Sequence, residues 1–295
     1  MKAVLCTTDR ASMNEHPILI LGETGVGKDL LAERIFSNRR TSAHELVKLN
    51  CAAIPSELFE SELFGSEAGS FSGAVRDKKG LIETAHEGVL FLDEVSEMAT
   101  VSQAKMLRVL ESGEFYRVGG RNALKSRFKL VSAMNRDPIQ AISEGRLRED
   151  LLHRIAVMTI HIPPLRERPE DIEFLIGHFL EKYSESCGKR IHQDDFKKLK
   201  KHSWPGNVRE LRNRIISAVY QSESEYLDFS NQSLGENQIF PISTLSESVQ
   251  KFNLEGNEMD LIQRAMRRFS GNRAKVSEAL GISQSTLYRR LRSSK

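Results

Sequence analysis

The chain has 295 residues, of which 39% are hydrophobic, and a formal net charge of only +3, which allows one large and one small domain around a real core. No apolar run approaches a membrane span and the N-terminal MKAVLCTTDR lacks the long apolar region of a secretory signal, so no membrane partner is expected; Cys6, Cys51 and Cys187 stand far apart in no metal-ligand spacing, which favours reduced thiols in a cytoplasm. The charge is uneven, because residues 257–295 carry nine Lys/Arg against three Asp/Glu, a local excess that makes the basic end a candidate for nucleic acid.

In chain order, HPILILG reads as a strand and KDLLAERIF as the helix after it. Between them stands Gly22-Glu23-Thr24-Gly25-Val26-Gly27-Lys28. This is a P-loop: backbone N–H groups and a helix N-terminus face a phosphate chain, glycines allow close approach, and Lys28 reaches the β- and γ-phosphates. Position 29 is Asp, where the general pattern has Ser or Thr for magnesium, so metal binding is expected to lean on other carboxylates or on water. The next strand, LVKLNC, is followed by a crossover over residues 52–87, far longer than the dozen or so residues a parallel connection needs. SELFESELF has helical spacing and KKGLIETAHEG returns to helix; Gly69-Ser70-Phe71-Ser72-Gly73-Ala74 lies between them, as the tip of an interrupted helix or a hairpin. Burying Phe71 would gain about 1.5–3 kcal/mol, yet its neighbours offer few apolar partners. An exposed contact for another molecule and a ring folded back onto the base of its own loop both stay open.

GVLFLDE is hydrophobic enough to be a buried strand, so Asp93 and Glu94 emerge at the carboxyl end of the sheet, where open α/β sheets bind ligands. Beside a P-loop the pair reads as a second NTPase motif: Asp93 holds Mg²⁺, directly or through water, and Glu94 polarises the attacking water. FKLVSAMN followed by DPIQAISEG, and then VMTIHI, complete five strands, which favours a doubly wound α/β domain with a parallel sheet. From Arg168 onward the pattern turns helical through DIEFLIGHFLEKYSE, DDFKKLKKH and NVRELRNRIISAVY, and a Ser-, Glu-, Asn- and Gln-rich stretch then reads as a linker. In the basic C-terminus, RAKVSEAL and QSTLYRRLR flank a glycine-bearing turn, the pattern of a helix-turn-helix. Gln284, Ser285, Thr286 and Tyr288 are candidates for base edges, and Arg289, Arg290 and Arg292 for phosphate; a helical cap with a solvated basic face is the plainer alternative.

GETGVGKD, NCAAIPSELFESELFG, GSFSGA, GVLFLDE, FYRVGG, GRLREDLLHRI, PPLRERPEDI and WPGNVREL resemble, in order and spacing, the AAA+ domain of bacterial sigma-54-dependent transcriptional activators, or enhancer-binding proteins. The resemblance runs over residues 17–220, and the C-terminal segment looks like the Fis-type domain of the same family. It implies an α/β nucleotide-binding part at 1–166, a helical lid at 167–228, a linker at 229–256 and a DNA-binding domain at 257–295, with ATP and Mg²⁺ as cofactors. An acidic residue at position 29 conforms to the family. Asn50 is implied to sense the nucleotide and restrain Glu94, Asn135 to sense the γ-phosphate, Arg148 and Arg154 to act as paired arginine fingers toward a neighbouring subunit, and Arg209 to serve as the lid sensor. Asn50 and Asn135 could equally terminate strands, and an arginine on a polar helix face is more often solvated than catalytic.

In the family the loop reads GAFTGA and contacts sigma-54. Here Ser72 keeps the hydroxyl of the threonine and loses a methyl, while Ser70 adds a hydroxyl to the alanine at what is expected to be a solvated tip. The resemblance implies an activator that binds enhancer DNA and uses ATP hydrolysis in a homo-oligomer, from dimer to hexameric ring, to remodel sigma-54 RNA polymerase. The altered loop leaves a second expectation, an AAA+ DNA-binding regulator acting independently of sigma-54. Family members usually carry more chain before the P-loop, which puts the adenine pocket in doubt. No sensing domain precedes the AAA+ part here, so control is expected from a partner, from expression level or from a missing domain.

Overall fold

Five short strands, the central three buried almost throughout, set the centre of the molecule. The computed structural model describes residues 1–39, 45–71, 73–183, 188–222, 224–227 and 229; Ser72, Cys187, the linker beyond residue 229, and Gln284, Ser285, Thr286, Tyr288, Arg289, Arg290 and Arg292 lie outside them. The first half runs α1 (Lys2–Ser12), β1 (Ile18–Leu21), α2 (Lys28–Asn38), β2 (Leu46–Asn50), α3 (Ser56–Phe64), β3 (Gly65–Ser66), β4 (Lys78–Lys79), α4 (Leu81–Thr84) and β5 (Val89–Asp93). Then follow α5 (Thr100–Ser112), β6 (Glu114–Phe115), β7 (Leu124–Lys125), β8 (Lys129–Met134), α6 (Pro138–Ser143), α7 (Glu149–Ile155) and β9 (Met158–His161). The lid is α8 (Pro169–Tyr183), α9 (Gln193–Lys201) and α10 (Asn207–Gln221).

The expected five-stranded parallel sheet is present, in the order β2-β5-β8-β1-β9. Its two faces follow the period-two rule. Leu19, Leu90, Leu92, Leu130 and Met134 pack against α3, α5 and α7, and Ile18, Ile20, Val89, Phe91, Val131 and Ala133 pack against α1 and α2. Burial on both faces explains why these strands read as continuous apolar runs. Because β1 sits between β8 and β9, the chain reverses its direction of travel across the sheet there, and the carboxyl end of β1 becomes a crevice.

The long crossover after β2 is α3, a short antiparallel hairpin of β3 and β4, and α4. Of the two expectations for the GSFSGA tip, an interrupted helix or a hairpin, the structure has a hairpin between α3 and α4. A third apolar cluster, around the buried Trp204, holds α8, α9 and α10 together, and the indole Nε1 donates to the Leu199 carbonyl at 2.9 Å. Among the described residues no helix is long and apolar enough to cross a membrane.

The sequence carried no expectation for α1. Its buried face includes Thr8, Ala11 and Ser12, so its apolar stripe is faint. The hydroxyls are satisfied locally, Thr8 Oγ1 donating to the Val4 carbonyl and Ser12 Oγ to that of Asp9, which removes most of the cost of burying them. The far end of the helix is fixed by Lys129, at the start of β8, whose Nζ donates to the carbonyls of Ala11, Asn14 and His16.

Burial, helped by the nearby Arg39 and opposed by Glu15, pushes the Lys129 pKa from about 10.5 down to about 8. The folded chain then binds fewer protons than the unfolded one between those values, so stability from this group rises with pH across that window and is lost as pH falls through about 8. Urea unfolding of the wild type and of Lys129→Met should show the difference moving in favour of the wild type from about pH 8 to about pH 10. A flat or opposite trend would contradict this placement.

Candidate functional site

Four segments distant in sequence meet at the carboxyl edge of the sheet. β1 ends at Leu21, and the Gly22 N–H donates to the carbonyl of Met134, the last residue of β8, at 3.2 Å. The loop then turns through Gly25 and Gly27, at φ 79° and 98°, and delivers Lys28 as the first residue of α2. Lys28 is buried, with Nζ donating to the carbonyls of Gly22 and Glu23 at 2.9 and 3.1 Å. Burial pushes its pKa down; Asp93 and Glu94 pull it back up, and Arg209 adds to the depression. A cation held here by two backbone carbonyls is poised for an anionic ligand. Asp29 stands exposed in the first turn of α2 and adds negative charge to the same field.

Asp93 is half-buried at the end of β5, and burial raises its pKa against the pull of Lys28. Its Oδ1 accepts from the Glu94 N–H at 3.1 Å and its Oδ2 from Asn50 Nδ2 at 3.4 Å. Glu94 follows in the left-handed conformation, φ 54°, which swings its carboxylate away from the strand direction. The amide that meets Glu94 is Asn135: its Nδ2 lies 3.4 Å from Glu94 Oε1 and 3.4 Å from Thr24 Oγ1. Asn50 touches Asp93 instead, and its Oδ1 accepts from the Ala52 N–H.

The lid closes onto the same loop. Arg166 holds the Glu23 carboxylate with both terminal nitrogens, at 2.6 and 2.9 Å, and this pair holds the Glu23 pKa below the usual carboxylate range. Asn207 reaches Glu23 and the Thr24 carbonyl. Arg168 donates to the Val26 carbonyl at 3.1 Å, and the Arg209 N–H donates to the Gly25 carbonyl at 3.2 Å. A Cβ at Gly25 would stand 2.4 Å from the Gly206 carbonyl oxygen, so the lid can sit this close only over glycine. Arg166, Arg168 and Asn207 all lie inside motifs quoted above, yet of the residues that meet the P-loop from this side only Arg209 carries an expected role there. The signal that could have found them is polar residues packed densely between proline and glycine turns.

Arg148 and Arg154 lie on the surface at the two ends of α7. Arg148 pairs with Asp150 at 3.0 and 2.7 Å, and Arg154 donates twice to the Leu110 carbonyl at 3.2 and 2.7 Å. Among the described residues, neither hydrogen-bonds to the P-loop or to Asp93 and Glu94 of its own chain.

The GSFSGA tip turns on itself, with the Gly69 N–H donating to the Ala74 carbonyl and the Ala74 N–H to that of Phe71. Phe71 is 44% exposed, and Val75 nearby is almost fully so. The base of the hairpin is strapped by FYRVGG: the Val118 N–H donates to the Gly65 carbonyl at 2.8 Å, the Glu67 N–H to that of Val118 at 3.0 Å, and Arg117 grips Glu83 at 2.9 and 2.7 Å. Ser70 departs from expectation. Its Oγ is buried with no hydrogen-bond partner, because Gly119 of the strap covers it, at a place where a Cβ on Gly119 would lie 2.5 Å from the Ser70 Cβ. The tip is therefore solvated at Phe71 and not at Ser70.

The profile of the family described as "Sigma-54 interaction domain" matches residues 1–161, followed by "AAA+ ATPase lid domain" over 166–234 and "Bacterial regulatory protein, Fis family" over 254–293. The chain belongs to the sigma-54 interaction domain family. This family member is 39% identical over 298 residues to the regulatory protein AtoC of Escherichia coli (strain K12), covering 96% of the chain and 64% of AtoC. It is 44% identical over 230 residues to the Nif-specific regulatory protein of Klebsiella pneumoniae, covering 77% of the chain and 44% of that protein. Among solved structures, NtrX from Brucella abortus superposes with a TM-score of 0.74 at 33% identity, over 99% of the chain and 67% of NtrX; NtrX has also been solved with ATP and with ADP. The chain thus spans less than two thirds of both curated relatives named here, and 67% of NtrX.

Leaving a buried hydroxyl unpaired costs about 1–3 kcal/mol. Ser70→Ala is therefore expected to raise stability by about 1 kcal/mol, read as a higher midpoint in chemical denaturation of the full chain. A loss of stability would mean that the hydroxyl is engaged after all.

Proposed function

We propose that this chain is an ATP-hydrolysing transcriptional activator that works on sigma-54 RNA polymerase from enhancer DNA. The observation that carries the reading is the separation of two features on one scaffold: Lys28, Asp93 and Glu94 converge at the sheet edge, while the exposed Phe71 sits on a hairpin of its own. The first suits phosphoryl chemistry; the second suits contact with a protein. Similarity to NtrX, which has been solved with ATP, supports the first half, and the match to the sigma-54 interaction domain family supports the second.

In this reading the P-loop N–H groups and Lys28 bind the triphosphate, and Arg209 reaches it from the lid. Glu94 accepts the proton of the attacking water as the β–γ bridging bond breaks, with Asn135 holding the Glu94 carboxylate in place. Asp93 retains free lone pairs beyond its two hydrogen bonds, which fits Mg²⁺, a cation that binds one or two carboxylates with phosphate oxygens and water. Mg²⁺ held there by Asp93 would supply charge neutralisation on the phosphate oxygens. Arg148 and Arg154, turned to the surface of α7, serve the site of a neighbouring copy, so the active form is a homo-oligomeric ring. The parts divide as 1–166, 167–228, a linker at 229–256 and a DNA-binding domain at 257–295.

Lys28→Ala should abolish binding of a fluorescent ATP analogue. Glu94→Gln should retain that binding and lose hydrolysis by about 10²-fold or more, the scale of a general base; equal rates in Glu94→Gln and the wild type would overturn the assignment. Phe71→Ala should keep hydrolysis within a few-fold, yet fail to form a sigma-54 complex with a transition-state analogue bound. Complex formation by Phe71→Ala equal to that of the wild type would remove the hairpin from the contact.

Deleting residues 257–295 should leave an ATPase that no longer protects its DNA site in a footprint. The intact chain should bind that site without nucleotide and lose affinity steeply with salt, as Lys/Arg contacts that release phosphate counterions require. Protection by the truncated chain would place DNA recognition elsewhere.

A further inference from the structure

Asn207 is fully buried and holds a left-handed backbone conformation, φ 52°, one that asparagine tolerates better than most residues. Its side chain serves three segments at once. Oδ1 accepts from the Leu165 N–H at 2.8 Å, and Nδ2 donates to Glu23 Oε2 at 3.1 Å and to the Thr24 carbonyl at 3.0 Å. Leu165 lies at the hinge between β9 and the lid, Glu23 and Thr24 lie in the P-loop, and Asn207 opens α10, which carries Arg209 two residues on. Both amide protons and the amide oxygen are used, so a buried polar group is fully satisfied.

We propose that Asn207 is a positioning residue that fastens the lid to the P-loop and thereby sets Arg209 against the phosphates. The proposal rests on the reading of Lys28 and Arg209 as phosphate-binding groups. Aspartate cannot replace it. A carboxylate at 207 would keep the acceptor for Leu165 but turn unprotonated oxygens toward the Glu23 carboxylate and the Thr24 carbonyl, a like-charge contact that Arg166 can only partly compensate. With Arg166 clamping the same Glu23, the occupancy of the P-loop and the angle of α10 become one variable: a shift of Glu23 or Thr24 toward a phosphate pulls on Asn207, and Asn207 turns the helix that bears Arg209.

The experiment is a double-mutant cycle on the full chain, with the dissociation constant of a fluorescent ATP analogue as readout and thermal melting as the control for folding. Asn207→Asp is expected to weaken binding by about 10-fold or more, the scale of lost hydrogen bonds to a charged group. In an Arg209→Ala background the same change should weaken it by less than about 3-fold, because interacting sites are non-additive. Adding Glu23→Gln to Asn207→Asp, which places a donor opposite the new carboxylate, should recover most of the lost affinity; this second variant keeps the test alive if Asn207→Asp alone folds poorly. Full additivity of Asn207→Asp with Arg209→Ala, or no recovery with Glu23→Gln, overturns the proposal. If Lys28→Ala binds the analogue as the wild type does, the nucleotide reading fails instead; loss of binding in Lys28→Ala together with additivity at 207 and 209 sinks the positioning role alone.

Discussion

Parallel register is the constraint on which everything else rests. Leu21 is paired with Met134, and Asn50 with Asp93, so strands that are far apart in the chain stop along one edge of the sheet. Parallel strands must all finish on the same side, and each connection must return over a face. The residues that follow the strands are therefore gathered without any further device: Gly22 after β1, Asn50 at the end of β2, Asp93 and Glu94 at β5, and Asn135 after β8. The chemistry of the site is carried by what the chain places immediately beyond those endings.

The lid adds a second layer of control through electrostatics and close approach. Glu23 is an acid set in a loop built to attract anions, which would weaken phosphate binding were its charge free. Arg166 and Asn207 absorb it, so the negative charge is turned into a mechanical link and the positive field of Lys28 and the helix N-terminus is left to the ligand. The glycine at 25 and the left-handed turns at Trp204 and Asn207 are the backbone conditions for that link. Loop and lid then respond together, because packed elements shift between discrete arrangements more readily than they deform.

The sheet was legible because its central strands are buried runs and β2 alternates cleanly, and the P-loop and Asp93-Glu94 because their residues are adjacent in sequence. What stayed hidden has identifiable causes. Helix α1 was missed because threonine and serine occupy its inner face and satisfy themselves by back-bonding to the preceding turn. The Glu23 clamp was missed because its partners lie 143 and 184 positions away, and no local pattern announces such a pairing. Ser70 was placed at a solvated tip because its immediate neighbours are glycine and serine; the cover comes from a strap beyond α5 whose motif carries no sign of where it packs. The resemblance assigns Asn50 to Glu94, whereas Asn50 meets Asp93 and Asn135 meets Glu94; both stand at the ends of strands that flank β5, so strand endings alone do not separate them.

The contact between Ser70 and Gly119 reaches beyond the energy of one hydroxyl. With any side chain at 70, position 119 is restricted to glycine on two separate grounds, the 2.5 Å approach of the two Cβ positions and a backbone φ of 77°. The two loops therefore share a single allowance of volume. Variation in one is legible only alongside the other, and a library that diversifies the hairpin while holding the strap fixed samples only the shapes that this one glycine permits.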